Sequence, residues 1–528
     1  MSVDPENGAD ARDETNYIDK LPAEVLCMIF DLLDLDTIKN ASRTSQRWYN
    51  IIFTSQYAAR FVLNFDVTSK VLAAYPICVE YLGRSSKLHK VYKLQRKVKA
   101  QEAIKDVMDM ITHSKWCVRN LTYRVDRYSS DDFPALWKTI HPKITANLVS
   151  LDLSLTTFLT QRVLPVLAAA LPLMQQLGTL NLRHVAREPF VQDGLIILRS
   201  SSVENVTFAS ILNIGIEMPL LRTFTGESNV LFQSGSCTAE SQMQPVAFDN
   251  LKHLYIVKVK QRWGPTKPNH NVSIPLQVSM ILQMKNLETI KWEEVLIDEV
   301  FRAICETCLK LKHLWIEKLE ISNVRVLDPL SKLVDLHDLK IEEIDTKDQS
   351  PLALDFSNQT KLQQVVLPHM NIDSLVLRKS MNTLGFTVSS KTHETMAQIL
   401  RDYRMQVTEL TLNFINFDAH EPTEMMKVLS IMHNLEVLRL RRGCFCELSF
   451  FLIPAPMDRL REMHFEDCCL YRATFSGYQD KFPNLEVLTR ENKDSDDEDA
   501  ENYDDESSSN DESENEVEES DSEEEYGY

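Results

Sequence analysis

The chain has 528 residues, 44% of them hydrophobic, which is enough to build a large core. Its formal net charge of −20 is unevenly spread: residues 491–528 hold 20 Asp/Glu and one Lys, so the other 490 residues sum to about −1. Neither part has the basic excess of a nucleic-acid binder, and the ten scattered cysteines form no disulfide framework, as in a reduced, intracellular protein.

The N-terminus opens on acidic and polar residues without an apolar h-region, so no secretory signal is expected. The most apolar run, near Val163 to Met174, is too short to span a bilayer and contains Pro165 and Pro172. These features predict a protein of the cytoplasm or nucleus, with no membrane partner. Residues 1–16 read as a disordered N-terminus. Leu26, Ile29, Phe30 and Leu33 then fall at i, i+3, i+4 and i+7, one face of a helix. Pro22 suits its first turn. Asp36 is the predicted N-cap of a second helix carrying Ile38, Ala41 and Ser45. Trp48, Ile51 and Ile52 predict a third. Three short helices cannot bury this much apolar surface by themselves, and domains this small usually need a staple or a partner.

The run Leu21-Pro22-Ala23-Glu24-Val25-Leu26, with Ile29-Phe30, Leu33, Asp36, Ile38, Ala41, Arg47 and Trp48, resembles an F-box over residues 17–60. Thr44, where the family often has Val, is a mild departure. The resemblance implies docking onto a Skp-type adaptor and, through it, a cullin scaffold. It puts Leu21, Pro22, Glu24, Val25, Leu26, Ile29 and Phe30 at or near the adaptor contact, with Trp48 holding the third helix.

Residues 61–115 read as a helical linker. Its basic run, Lys87, Lys90, Lys93, Arg96, Lys97 and Lys99, fits a solvated helix face better than a nuclear-localisation or nucleic-acid patch.

Residues 116–490 carry a repeating Leu-x-x-Leu-x-Leu-like unit. Copies include Leu148/Leu151/Leu153, Leu177/Leu180/Leu182, Leu251/Leu254/Ile256, Leu311/Leu314/Ile316, Leu336/Leu339/Ile341 and Leu435/Leu438/Leu440. Steps from Leu287 are 24, 25 and 26 residues, and from Val407 they are 28, 25 and 25. That period belongs to leucine-rich repeats, so the expected fold is an α/β repeat solenoid: a leucine-rich-repeat horseshoe with a small N-terminal all-α F-box. Val295 to Leu309 and Thr423 to Met432 should supply outer helices. A unit near Leu221/Phe224 looks degenerate, and residues 261–275 look inserted. Between Leu362 and Val407 two registers compete, Ile372/Leu375/Leu377 and Met381/Leu384/Phe386. Alternating strand positions should face outward on the concave surface. They include Tyr255, Lys291, Glu293, Trp315, Glu317, Lys340 and Glu342, then Thr411, Asn413, Arg439, Arg441, His464 and Glu466. The substrate-binding candidates among them are Tyr255, Lys291, Trp315, Glu317, Lys340, Arg439, Arg441 and His464, because such surfaces bind partners and Trp, Tyr and Arg anchor them.

Residues 491–528 are too polar to offset the entropy of ordering, and disorder is expected. Ser495, Ser509, Ser513, Ser520 and Ser522 each have an acidic residue three places on, which suits acid-directed kinases. Twelve glycines, no G-x-G, no P-loop, no G-x-S-x-G and no His-Glu-x-x-His leave an enzyme nothing to stand on. Cys305-x-x-Cys308 is half a zinc pattern in a predicted helix and reads as structural thiols, so no metal or other cofactor is expected. The leading expectation is the substrate-recognition subunit of a ubiquitin ligase. The alternative is a non-degradative scaffold that uses the F-box for adaptor docking alone.

Overall fold

The computed structural model describes residues 17–54, the segments 61–67, 75–81 and 94–98, and 119–491 apart from 126–136, 156–159, 185–189, 234–247, 259–272, 416–422, 447–452, 472–477 and a few shorter gaps. The N-terminus 1–16, the acidic segment beyond 491 and the insertion 261–272 lie outside the described residues.

Three helices open the chain: α1 (Ala23–Phe30), α2 (Leu35–Ala41) and α3 (Gln46–Thr54). Pro22 sits at the N-cap of α1 in extended conformation, where its missing N–H costs nothing. The cap of α2 is Asp34, not Asp36: its carboxylate accepts the Thr37 backbone N–H at 2.7 Å. Asp36 is the second residue of the helix, not the residue before it. Leu26, Phe30, Ile38, Ile51 and Ile52 are buried, and the Trp48 ring meets Phe30 edge-on at 5.5 Å. Arg47 on α3 donates to the Leu21 carbonyl at 2.5 Å, tying the first and third segments together.

Where the predicted helical linker is described, it forms strands. β1 (Phe61–Val67), β2 (Tyr75–Tyr81) and β3 (Leu94–Val98) pair antiparallel in chain order. β1 also lies parallel to β4 (Asn120–Val125), the first repeat strand, with Phe65 opposite Leu121. Phe61, Val62, Phe65, Val67, Tyr75, Ile77 and Val79 are aromatic or β-branched and fit a pleated surface. The first strand of a parallel array also leaves a bare edge, which β1 fills. Arg96 and Lys97 of the basic run therefore sit on β3. Lys87, Lys90, Lys93 and Lys99 lie outside the described residues.

Among the described residues every main-sheet pairing from β4 onward is parallel, and with β1, β2 and β3 the described sheet has 18 strands. In each repeat the Leu-type positions turn inward. Leu151, Leu180, Val206, Leu254, Ile290, Leu314, Leu339, Val365, Leu384, Leu410, Leu438 and Met463 form one stacked row, each at most 1% exposed. A single repeat strand has one apolar face and no cover, and stacking supplies it. The unit near Leu221 is a full repeat: Thr223–Gly226 pairs with both Asn205–Ala209 and His253–Ile256. Gly226 allows this close approach, because a Cβ there would stand 3.2 Å from the Phe208 carbonyl oxygen. The register between 362 and 407 is also decided. Thr383–Ser389 enters the main sheet beside Gln364–Leu367, whereas Ile372–Val376 pairs with Leu352–Asp355 in a separate two-stranded sheet. Helices Asp298–Thr307 and Thr423–Leu429 return the chain where outer helices are expected.

Neighbouring repeats are also laced by charge. Glu288 takes Lys252 at 2.9 Å and Lys312 at 2.6 Å, one cation from each adjacent repeat. Hydrogen bonds from Lys312 and then Lys252 hold its carboxyl down at about 2 against an ordinary 4.5. A depressed carboxyl stabilises the fold above its ordinary range, so this contribution is complete above about 4.5 and fades as pH falls toward about 2. Replacing Lys312 by Met should move the Glu288 titration, followed by carboxyl NMR, upward toward the ordinary value. Leu410→Ala should lower unfolding stability by about 2–5 kcal/mol in urea titration, since its side chain is wholly enclosed.

Candidate functional site

Two exposed surfaces stand out, and each arises from a simple periodicity. On α1 and the turn after it, Val25, Met28, Ile29 and Leu32 recur at i, i+3, i+4 and i+7 and face solvent. Met28 is 66% and Leu32 74% exposed, unusual for such large apolar groups side by side. One residue further on runs a second stripe of Leu26, Phe30 and Leu33, which packs onto α2 and α3. A step of one residue rotates 100° around the helix, so the two stripes point in different directions.

The adaptor-side residues of the sequence reading therefore divide. Pro22, Glu24, Val25 and Ile29 are exposed and Leu21 is half-buried, all at the outer surface of the helical unit. Leu26 and Phe30 are 0% and 1% exposed; they hold α1 in place from beneath and do not form its surface. The reading of Leu26, Ile29, Phe30 and Leu33 as one face merged two stripes, and Ile29 belongs to the outer one. Met28 and Leu32 were missed. The signal that finds them is the same helical period started one residue earlier, at Val25.

The second surface is the face of the main sheet that the described residues leave open. Its register lines up one residue per strand: Tyr255, Lys291, Trp315 and Lys340 are consecutive cross-strand neighbours. The ammonium of Lys291 stands 3.9 Å from the Trp315 ring centroid and that of Lys340 stands 4.1 Å away, one from each flanking strand. Each contributes about 0.5–1 kcal/mol of cation–π attraction at such a half-exposed position. Glu293 holds Lys291 at 2.7 Å and Glu342 holds Lys340 at 2.6 Å, so both lysines are fixed before any partner arrives. Glu317, two residues past Trp315, stands half-buried near this cluster.

Arg439, Arg441 and His464 form a second patch. Arg439 pairs with Glu409 at 3.3 Å and Arg441 with Glu466 at 2.5 Å. His464 lies beside Arg439 and contacts the Thr489 hydroxyl at 2.6 Å and Glu462 at 3.2 Å. Between the two patches the same row passes through Val366, Gly385 and Thr411, which carry no charge. The structure thus puts all eight candidates on one sheet face but in two separate clusters. A partner spanning both has to bridge three intervening strands, four strand spacings or about 19 Å.

Other chemistry-bearing groups are internal. Cys305 and Cys308 are fully buried, and burial pushes the Cys308 thiol up to about 12 and raises Cys305 as well. Such thiols stay protonated and are poor metal ligands. Glu294 accepts from the Ser228 N–H at 3.0 Å and from the Ser228 hydroxyl at 2.5 Å, with its carboxyl raised mainly by burial. Among the described residues no three His, Cys, Asp or Glu side chains gather closely enough to hold a metal ion, and no helix is long and apolar enough to cross a membrane.

Residues 18–63 match the F-box-like family. A leucine-rich-repeat protein of Leptospira interrogans is similar over 66% of this chain and 92% of its own, at 11% identity and a TM-score of 0.29. A Bacteroides fragilis protein of known structure is similar over 57% of this chain and 96% of its own, at 13% identity and a TM-score of 0.24. Comparison with curated proteins gives no match. The F-box-like match thus falls on the three opening helices, and a stack of parallel repeat strands follows it.

Proposed function

We propose that this protein is the substrate-recognition subunit of a Skp-cullin-F-box ubiquitin ligase, acting in the cytoplasm or nucleus. The observation that carries the reading is the outer stripe Val25, Met28, Ile29 and Leu32, which lies within the F-box-like segment and which the described residues leave uncovered. A stripe of this kind is completed by an apolar groove on another protein. The Skp-type adaptor takes that role, with Pro22 and Glu24 at the rim, and links the chain to the cullin. Such contacts bury about 1,600 Å² in total and rest on a few central apolar anchors.

The open sheet face would then hold the target, with Trp315 and its two lysines as the central anchor and Arg439, Arg441 and His464 as a second contact. The mechanism is proximity. A tethered target sees the ubiquitin-conjugating enzyme at an effective concentration of order mM, so the receptor needs no catalytic residue of its own. A scaffold that stops at adaptor docking would share the first contact but bring no ubiquitin transfer.

Ile29→Asp with Leu32→Asp should weaken adaptor binding about a hundredfold or more, because it places charge in a dry contact. Both side chains are exposed, so helix content by circular dichroism should not change. Leu26→Asp should instead unfold the helical unit. Adaptor that still co-purifies fully with the double variant would refute the docking surface. Trp315→Ala should keep adaptor and cullin but stabilise the bound target in cells. A target whose half-life ignores both variants would favour the scaffold.

A further inference from the structure

Three neighbouring strands of the main sheet, Thr289–Ile297, His313–Ile321 and Asp338–Thr346, carry eight carboxylates and three lysines between them. The lysines are already committed. Lys291 holds Glu293 at 2.7 Å, Lys340 holds Glu342 at 2.6 Å and Lys318 holds Glu343 at 2.7 Å. Glu317 is left over. Trp292 stands opposite Ile316, and Ile316 opposite Ile341. The residues that follow them, Glu293, Glu317 and Glu342, therefore form one cross-strand row, with Glu317 in the middle. Among the described residues Glu317 has no cation at ion-pair distance. A strand spacing of about 4.8 Å puts both flanking carboxylates inside the screening length of about 8 Å. Like charges set opposite one another across strands destabilise a sheet. A face that keeps this arrangement is complementary to a cation supplied from outside.

The same sign continues beyond the row. At the C-terminal ends of these strands Asp298, Glu299, Glu320 and Asp345 line an open groove of about 400 Å³ beside Ile297 and Ile321. In the row before Glu317, Tyr255 and Trp315 offer ring surface to the stem of a long basic side chain. Resting on the reading of this face as the target's seat, we propose that it selects an extended basic segment of the target, with an arginine or lysine of that segment paired to Glu317. Lys291 and Lys340 do not read the partner's charge; their own glutamates keep them on the indole, where they position Trp315. An acidic segment would have to displace Glu293 and Glu342 from those lysines and would still meet Glu317.

The test labels the full-length chain with 5-fluorotryptophan and assigns the Trp315 fluorine signal by its loss in Trp315→Phe. Short Gly/Ser peptides are titrated in, holding Arg, citrulline or Glu at alternate positions. Arginine and citrulline match in shape and differ in charge. The Arg peptide should shift the Trp315 signal at a concentration at least about tenfold below the citrulline peptide, with the Glu peptide weakest. Glu317→Gln should remove the Arg preference. Residues 492–528 are present in both chains, so any background attraction to their charge cancels in that comparison. In urea titration without peptide, Glu317→Gln should be at least as stable as the natural chain, because it relieves repulsion within the row. The proposal is overturned by equal responses to Arg and citrulline, or by an Arg preference that survives Glu317→Gln. Tightest binding of the Glu peptide would also overturn it and assign the partner's charge to the lysines. So would a lowered urea midpoint for Glu317→Gln, which would mean that a cation of this chain already answers Glu317. The titration needs no adaptor, so adaptor docking and this selectivity fail separately.

Discussion

Every repeat of this protein buries its leucines against the next one, and that dependence governs both the interior and the ends. A strand such as Leu410 to Leu412 has no inside of its own. It acquires one when Leu384 and Phe386 stack on one side and Leu438 and Leu440 on the other. The array is therefore complete in the middle and exposed wherever stacking stops. At the N-terminal end β1 to β3 supply extra strands. At the C-terminal end the last strand is left with Leu485 and Leu488 half covered.

The helical unit at the start follows the same logic on a smaller scale. Its three helices have room for one inward stripe, and Leu26, Phe30 and Leu33 fill it against Ile38, Trp48 and Ile52. The neighbouring stripe through Met28 and Leu32 finds nothing within the unit to cover it. Exposed apolar area of this kind is costly to keep in water, at about 25 cal/mol per Å².

Legibility varied with the range of the interactions involved. The repeat period and its inward leucines were readable because each depends on residues about 25 apart in one regular pattern. The choice between Ile372 and Met381 as the next repeat was not, because both carry the right local spacing. The decision came from which strand could sit beside Gln364–Leu367 and which beside Leu352–Asp355. The segment after the F-box was misread for the same reason: its charges looked helical, and its strands form on the edge offered by β4. On the open face, the outward residues were found from alternation alone. Their division into a Trp315 cluster and an Arg439 cluster depends on cross-strand register, as does the grip of Lys291 and Lys340 on one indole.

By itself the sequence determined the order of the parts: a helical F-box-like motif, a stack of parallel-strand repeats and an acidic segment, with no recognisable catalytic motif. These follow from local periodicity and charge, which a chain carries whether folded or not. Only the tertiary structure decided which of two adjacent apolar stripes on α1 faces outward and which repeats are neighbours. Those are facts about what covers what, and a residue's cover comes from parts of the chain that its own neighbours in sequence do not specify.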